Sequence, residues 1–136
     1  MTGVQTCALP ICPKPEKKEI AFPRRGEIYL VSFDPTLGHE IQKTRAAVVI
    51  QNDVSNQYSP ITIVAAISSQ FSEPPFPREV VIEPADSGLP KRSAVIVNQM
   101  RSVDRLRLQK KVGRLSRQDM ERVDEAMKIS LGLIAF

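Results

Sequence analysis

Three polar side chains in the first half of the sequence are candidates for chemistry: His39, Arg45 and Ser68. His39 is the only histidine, and imidazole is the side chain whose ordinary pKa lies near neutrality. Arg45 ends a polar loop just before an apolar run, and its guanidinium group can hold two anionic oxygens at once. Ser68 ends a second apolar run with a hydroxyl that can hydrogen-bond or relay a proton. Residues of these types are also ordinary surface and capping residues, so the pattern alone leaves both interpretations open.

The sequence does not favour metal or cofactor chemistry. It contains no dense group of Asp, Glu and His residues, so a two-metal site is not expected. A single histidine excludes a mechanism that uses two histidines within one subunit. Cys7 and Cys12 are the only cysteines and have no neighbouring histidine, which disfavours a metal or redox site and excludes a disulfide-built core. We therefore expect no metal and no cofactor, in a chain suited to a reducing cytoplasm.

Positive charge is concentrated in one quarter of the sequence. The chain of 136 residues has a net charge of +4, but Lys91 to Arg117 carries nine basic residues against one acidic residue, Asp104. Such a segment favours an anionic partner, either a nucleic acid or an acidic protein. A solvated cationic surface is an equally ordinary explanation. The basic residues are Lys91, Arg92, Arg101, Arg105, Arg107, Lys110, Lys111, Arg114 and Arg117.

Short strands are the elements that must position these side chains. Glu27–Phe33 alternates apolar and polar residues, as a half-buried strand does. Ala46–Gln51 and Ile61–Ile67 are continuous runs rich in β-branched residues, which are typical of central strands. Glu79–Glu83 and Ser93–Asn98 supply two more strands.

Only the C-terminal end of the sequence has a helical pattern. Ser116 followed by Asp119 is a capping pattern, and Gly132 stands where a helix commonly ends. The fold predicted is mainly β with a C-terminal α-helix, in the form of a small, strongly bent antiparallel sheet or barrel. The inward-facing stripe expected for the helix consists of Met120, Val123, Met127 and Leu131.

The first twenty residues are expected to be a disordered tail, and residues 21–136 a single domain. The tail has no amphipathic period and ends in a segment rich in Pro, Lys and Glu. Residues 4–11 also resemble translated adapter sequence, so we expect the native start near Lys17–Phe22. The sequence contains no apolar run long enough to cross a bilayer, which predicts a cytoplasmic protein without a membrane partner.

Five blocks of the sequence, in order over residues 24–136, resemble the MazF/PemK family of toxins. The first is Arg25-Gly-Glu-Ile-Tyr29 with Asp34-Pro35. The later blocks are Gly38-His-Glu40 with Arg45 and Val48–Asp53, then Ser59-Pro60 with Val64–Ser68, then Asn98–Arg101 with Val103-Asp104, and finally Val123–Ala126 with Ser130–Leu133.

The resemblance implies an SH3-like barrel of the PemK type and a toxin of a toxin–antitoxin system. Its expected activity is metal-independent, sequence-specific endoribonuclease cleavage of single-stranded messenger RNA. The 2′-hydroxyl would attack the phosphate and leave 2′,3′-cyclic phosphate and 5′-hydroxyl ends. The partners implied are a second copy of the chain and an acidic, MazE-like antitoxin, with DNA contacted only indirectly, through the antitoxin.

The resemblance also assigns site residues. Arg45 and Ser68 occupy the positions of the family's catalytic residues, and the role favoured for Arg45 is charge stabilisation, because its high pKa makes it a poor base. His39 remains the competing acid–base candidate, since the family varies at this position, and Asn52 is equally suited to forming a turn. The residues expected to contact RNA are Glu40, Asn52, Asn98, Gln99 and Arg101.

Two alternatives remain at this level. Ala46 stands where the family usually has Pro, which would hold Arg45 extended, so a weakly active RNA- or antitoxin-binding module of the same fold stays open. Gyrase-poisoning toxins share the barrel but rely on a Trp near the C-terminus, and this sequence contains no Trp.

Overall fold

The computed structural model describes residues 22–34, 38–39, 43–73, 75–85 and 87–135. The predicted tail and Glu40 lie outside these ranges, and none of the helices within them is long and apolar enough to span a membrane. The described strands are β1 (Glu27–Ser32), β2 (Thr44–Val49), β3 (Ile61–Ser68), β4 (Glu79–Ile82), β5 (Ser93–Asp104) and β6 (Leu108–Arg114). The helices are α1 (Asp53–Tyr58) and α2 (Arg117–Ser130), with a 3₁₀ turn at Arg105–Arg107.

All six strands form one antiparallel sheet in the order β4-β5-β3-β2-β1-β6. The two β-branched runs became β2 and β3 at its centre, as predicted. Their central positions explain why these strands are apolar on both faces: Ala47, Val48 and Val49 of β2 are all fully buried. The mainly β fold with a C-terminal helix is therefore confirmed.

Apolar side chains are buried on both faces of the sheet. On one face, Val48 and Ala65 belong to a cluster that includes Val123 and Ala126 of α2. On the other face, Ala47 packs in a second cluster with Val31, Phe33, Val49, Val64, Ala66 and Val103. Because successive residues of a strand point to opposite faces, Arg45 lies on the same face as Ala47, at the rim of the second cluster.

A contact between two glycines brings the edges of the sheet together. β4 and β6 are the outermost strands and do not pair with each other. The turn after β4 nevertheless lies against β6, since a Cβ atom built on Gly113 would come within 2.0 Å of the Ser87 carbonyl oxygen. Gly88, with φ +84, makes the reciprocal approach to Val112. The sheet is thus curled into an open, barrel-like shape in which this backbone contact joins its two edges.

Helix α2 begins and ends where the sequence predicts. The Ser116 Oγ accepts a hydrogen bond from the Asp119 N–H at 3.1 Å, and Gly132 follows the last turn with φ +75. Val123 is buried and Met120 and Met127 pack against the same cluster. The prediction for Leu131 is wrong: it is 58% exposed at the C-cap, and Ala126 completes the buried face instead.

Two elements were missed by the sequence prediction. The segment Asn52–Pro60, expected to be a connection, contains α1, whose single buried residue is the polar Asn56. Asn56 is hydrogen-bonded to Thr62, Gln51 and the Gln51 carbonyl, so this helix carries no apolar stripe to detect. β6 was also not identified, because an edge strand with two lysines and a glycine lacks the alternation of a half-buried strand.

Candidate functional site

The candidate catalytic residues lie on neighbouring strands at one end of the sheet. Arg45 is the second residue of β2, exposed, with its Cα opposite Val31 of β1. Ser68 is the half-buried last residue of β3. β2 and β3 pair as far as Ala47 opposite Ala66, and Arg45 and Ser68 each lie two residues beyond that last pair. Both then lie on one face, since each is two residues from a member of the same buried cluster.

Hydrogen bonds at the base of the loop between β1 and β2 fix the backbone position from which β2, and with it Arg45, starts. The Lys43 N–H donates to the Asp34 carboxylate at 2.9 Å, and the Phe33 N–H donates to the Lys43 carbonyl at 2.9 Å. Lys43 has φ 64, a left-handed conformation that is uncommon for a residue with a side chain. These bonds hold the turn from which Thr44 and Arg45 enter β2.

A bulge in β5 carries Asn98 and Gln99 to the same end of the sheet. The register places Met100 opposite Ala65 but Ile96 opposite the next residue, Ala66, so three residues of β5 bulge out of the ladder. Bulges commonly redirect side chains beside functional sites. The Gln99 Nε2 donates to the His39 carbonyl at 3.4 Å, a contact that links β5 to the β1–β2 loop.

Arg101 lies beside the bulge, half-buried and opposite Val64 of β3. Its Nη1 donates to the Phe33 carbonyl at 2.6 Å, and its guanidinium carbon lies 5.8 Å from the centre of the Phe33 ring. At least one donor of Arg101 therefore supports the end of β1. The RNA contact expected of Arg101 stays a prediction.

Asn52 is separated from this site by the length of β2. It is the N-cap of α1, where its Oδ1 accepts the Ser55 N–H at 2.8 Å. The turn-forming alternative is thus seen in the structure. Gln99 and Arg101 contact the His39 and Phe33 carbonyls, and Arg45 and Ser68 lie on one face where β2 begins and β3 ends. Asn52 caps α1 beyond the other end of β2.

Much of the basic segment has partners within the chain. Arg92 pairs with Glu73 and Glu83, and Lys111 pairs with Glu27 at 2.8 Å. Arg105 and Arg107 donate to backbone carbonyls. Lys91, Lys110 and Arg114 are exposed. The charge available to an anionic partner is therefore smaller than the sequence count suggests.

The perturbed acid–base groups lie at the opposite end of β1 from Arg45. Burial alone would raise the pKa of Glu27, but hydrogen bonds from Lys111, the Arg24 N–H and Tyr29 outweigh it and lower that pKa. Burial and the bond to Glu27 raise the pKa of Tyr29 to about 12. These groups form a structural network at the start of the strand.

The site offers cationic and hydrogen-bonding groups for an anionic chain. Arginine can hold phosphate oxygens and amides can contact base edges of a single strand. In the part of the chain that the structure describes, no three His, Cys, Asp or Glu residues are grouped as metal ligands would be. Sequence reasoning overlooked the roles of Asp34, Lys43 and Arg107, since contacts to backbone carbonyls and amides leave no motif.

The sequence of this chain is similar to one protein family and to a characterised member protein. Residues 24–131 match the family described as PemK-like, MazF-like toxin of type II toxin-antitoxin system. Endoribonuclease EndoA of Bacillus subtilis (strain 168) is 39% identical over 113 residues, which cover 83% of this chain and 97% of EndoA.

Solved structures share the fold. MazF from Deinococcus radiodurans superposes with a TM-score of 0.72 at 24% identity, over 83% of this chain and 99% of that one. An endoribonuclease in complex with its cognate antitoxin from Mycobacterial species gives a TM-score of 0.69 at 16% identity, over 84% and 99%. The predicted PemK/MazF-type architecture is confirmed by these superpositions, with the sheet curled but not closed.

Proposed function

The chain belongs to the family of PemK-like and MazF-like toxins of type II toxin–antitoxin systems, and from this premise we propose that it cleaves single-stranded RNA without a metal ion. The B. subtilis relative is named as an endoribonuclease, which is the activity proposed here. The observation that carries the proposal is the placement of Arg45 and Ser68 on one face of the sheet, each two residues beyond the last β2–β3 pair, at an end where Arg45 is exposed.

RNA supplies its own nucleophile, which defines what the protein must do. The 2′-oxygen forms a bond to the adjacent phosphorus and loses its proton, while the bond from phosphorus to the 5′-oxygen breaks and that oxygen gains a proton. The products are a 2′,3′-cyclic phosphate and a 5′-hydroxyl. Catalysis requires stabilising the negative phosphorane and assisting both proton transfers.

Arg45 and Ser68 fit these requirements in different ways. The planar guanidinium fork of Arg45 can hold two phosphorane oxygens at once. The Ser68 hydroxyl, which accepts the Gln70 N–H at 3.1 Å, still has its own proton to donate to a phosphate oxygen. Asn98, Gln99 and Arg101 would hold neighbouring bases and phosphates, and Glu40 and Asn52 remain predicted contacts.

The toxin is also proposed to act as a homodimer controlled by an acidic antitoxin in the cytoplasm. Solved relatives of the same fold are described as MazE–MazF and as an endoribonuclease with its cognate antitoxin. An acidic antitoxin would compete with RNA for the same basic residues and would provide the only link to DNA.

Single-turnover cleavage of a labelled single-stranded RNA in EDTA, with the RNA dissociation constant measured in parallel, tests the proposal. Arg45→Ala should nearly abolish cleavage and weaken binding only modestly, because the contact strengthens in the transition state. Arg45→Lys should restore little. Ser68→Ala should slow cleavage by about 10–1,000-fold, and Ser68→Thr should be tolerated.

Arg117→Ala is the matched control, since it removes the same charge from a side chain that is 89% exposed. It should cleave at the parent rate. If Arg45→Ala cleaves like this control while His39→Ala is inactive, the assignment is wrong and histidine is the acid–base group. If the parent binds RNA without cutting it, the chain is the binding module that Ala46 leaves open.

A further inference from the structure

Two arginines hold three consecutive carbonyl oxygens at the end of β1. The Arg107 Nη1 donates to the Ser32 carbonyl at 3.1 Å and to the Asp34 carbonyl at 2.6 Å. Arg101 donates to the carbonyl between them, that of Phe33. Arg107, from the turn before β6, and Arg101, from β5, thus hold the segment in which the chain leaves β1.

The Arg107 side chain supplies hydrogen-bond donors to β1 at the point where its backbone pairing with β6 ends. The pairing of β1 with β6 ends at Val31 and Leu108, after an irregularity in the register. The Ser32 and Asp34 carbonyls face the β6 side beyond that last pair. A single charged nitrogen reaches both, which satisfies two acceptors that the backbone of β6 does not reach.

The carbonyls held by Arg107 belong to the residues that fix the start of β2. The Asp34 carboxylate accepts the Lys43 N–H, and Lys43 accepts the Phe33 N–H. Lys43 keeps its left-handed conformation only if its surroundings impose it. Arg45 follows two residues later, so the chain of contacts runs from Arg107 through Asp34 and Lys43 to Arg45.

We propose that Arg107 is a positioning residue for RNA cleavage: it fixes the base of the β1–β2 loop and thereby the place from which Arg45 reaches the scissile phosphate. This inference rests on the proposed function of Arg45. Arg107 itself contacts backbone carbonyls and acts through Arg45.

Arg105 provides a matched control within the same 3₁₀ turn. It is also half-buried, and its Nη1 donates to the Asn56 and Ser59 carbonyls at 3.4 Å each, at the junction of α1 and β3. Replacing either arginine with methionine removes one charge and two contacts to carbonyls but keeps an unbranched apolar stem. Only the Arg107 change loosens the base of the β1–β2 loop.

The experiment compares Arg107→Met, Arg107→Lys and Arg105→Met with the parent. Single-turnover cleavage by Arg107→Met should fall about 10- to 100-fold, as expected for a displaced catalytic group, with an RNA dissociation constant equal to that of Arg105→Met. Arg107→Lys should recover most of the rate, because one nitrogen makes both contacts. Hydrogen exchange of the Phe33 and Lys43 amides should be faster in Arg107→Met and unchanged in Arg105→Met.

Equal cleavage by the two methionine variants would overturn the inference. So would a loss confined to RNA affinity and its salt dependence, which would make Arg107 a phosphate contact. If the parent cuts no RNA, the proposed function fails, and the exchange of the two amides still decides whether Arg107 holds the loop. If Arg107→Met does not fold, Arg107→Lys decides the question. A large loss of cleavage rate in Arg107→Lys, with unchanged hydrogen exchange of the Phe33 and Lys43 amides, would refute the positioning role of Arg107.

Discussion

Arginine has a mainly structural use in the basic segment. Arg101 and Arg107 each direct a guanidinium nitrogen at backbone carbonyls at the end of β1, and Arg105 directs one at carbonyls of α1 and its C-cap. A charged donor makes stronger hydrogen bonds than a neutral one, and the long side chain reaches strand ends from a neighbouring element. A count of positive charges therefore overstates the surface that attracts RNA, and each arginine has to be assigned from its contacts.

Glu27 gives a prediction at the residue scale. Its pKa is lowered on folding, so the stability it contributes is complete above its unfolded pKa, near 4.5, and is lost as the pH falls through the folded value. Glu27→Gln should lower the free energy of unfolding at pH 7 by about 1–3 kcal/mol, the cost of disturbing a buried hydrogen-bonded group. The difference from the parent should shrink as the pH falls below 4.5.

Urea unfolding at pH 7, 5 and 3.5 measures this, with Glu121→Gln as the control. Glu121 is exposed and lies 4.0 Å from Arg117, so its replacement should have little effect at any pH. A constant difference between Glu27→Gln and the parent across this pH range would contradict the assignment.

Residues of the site were predictable to different degrees. Family motifs indicated Arg45 and Ser68, and the strand ends on which they lie followed from apolar runs that stop at polar residues. The approach of Gln99 to the loop depends on a bulge, and bulges leave no clear pattern in a single sequence. The role of Arg107 depends on where β6 stops pairing with β1, which local sequence does not encode.

At the scale of elements, the fold depends on strands and turns that sequence patterns identify unevenly. The buried strands β2 and β3 were predictable because their burial on both faces requires continuous apolar runs. The short helix α1 was not, because its buried residue is polar. The approach of the turn after β4 to β6 was also unpredictable, since a glycine required for space looks the same as one required for a turn.

Gly113→Ala tests the backbone contact between the two edges of the curled sheet. A methyl group there would meet the Ser87 carbonyl oxygen at 2.0 Å, and backbone on both sides leaves no flexible side chain to move. We expect a loss of about 3 kcal/mol or more in unfolding free energy, at the upper end for an overpacked site. Gly132→Ala has no atom within 4 Å and should lose only about 1 kcal/mol for its left-handed backbone. Equal losses in thermal or urea unfolding would show that the close contact at Gly113 does not stabilise the curled sheet.

At the scale of the whole molecule, large apolar side chains are exposed in two regions of the described chain. Leu131, Leu133 and Ile134 are exposed beyond the last turn of α2. Tyr58 is 78% and Leu106 91% exposed at the junction of α1 with the 3₁₀ turn. If the proposed homodimer forms, these side chains are the ones that its interface could cover.

Light scattering at micromolar concentration should give twice the mass of one chain. Adding an acidic peptide should inhibit RNA cleavage by displacing RNA, and a neutral peptide of the same length should not. The effect should weaken with salt, as contacts between opposite charges do. A monomer mass, or inhibition without RNA displacement, would count against this assembly and its control.

The contact between the end of β1 and Arg107, just before β6, also determines when the proposed site is complete during synthesis. Arg107 and Asp34 are 73 positions apart, and β1 pairs with β6 across a similar distance. A ribosome makes β1 and its loop first, and contacts between such distant segments form late in folding. The nascent chain therefore lacks the contacts that hold the proposed site until its last quarter has been made. On the proposed function, a nascent chain that lacks these contacts has no organised site with which to cleave the message that encodes it.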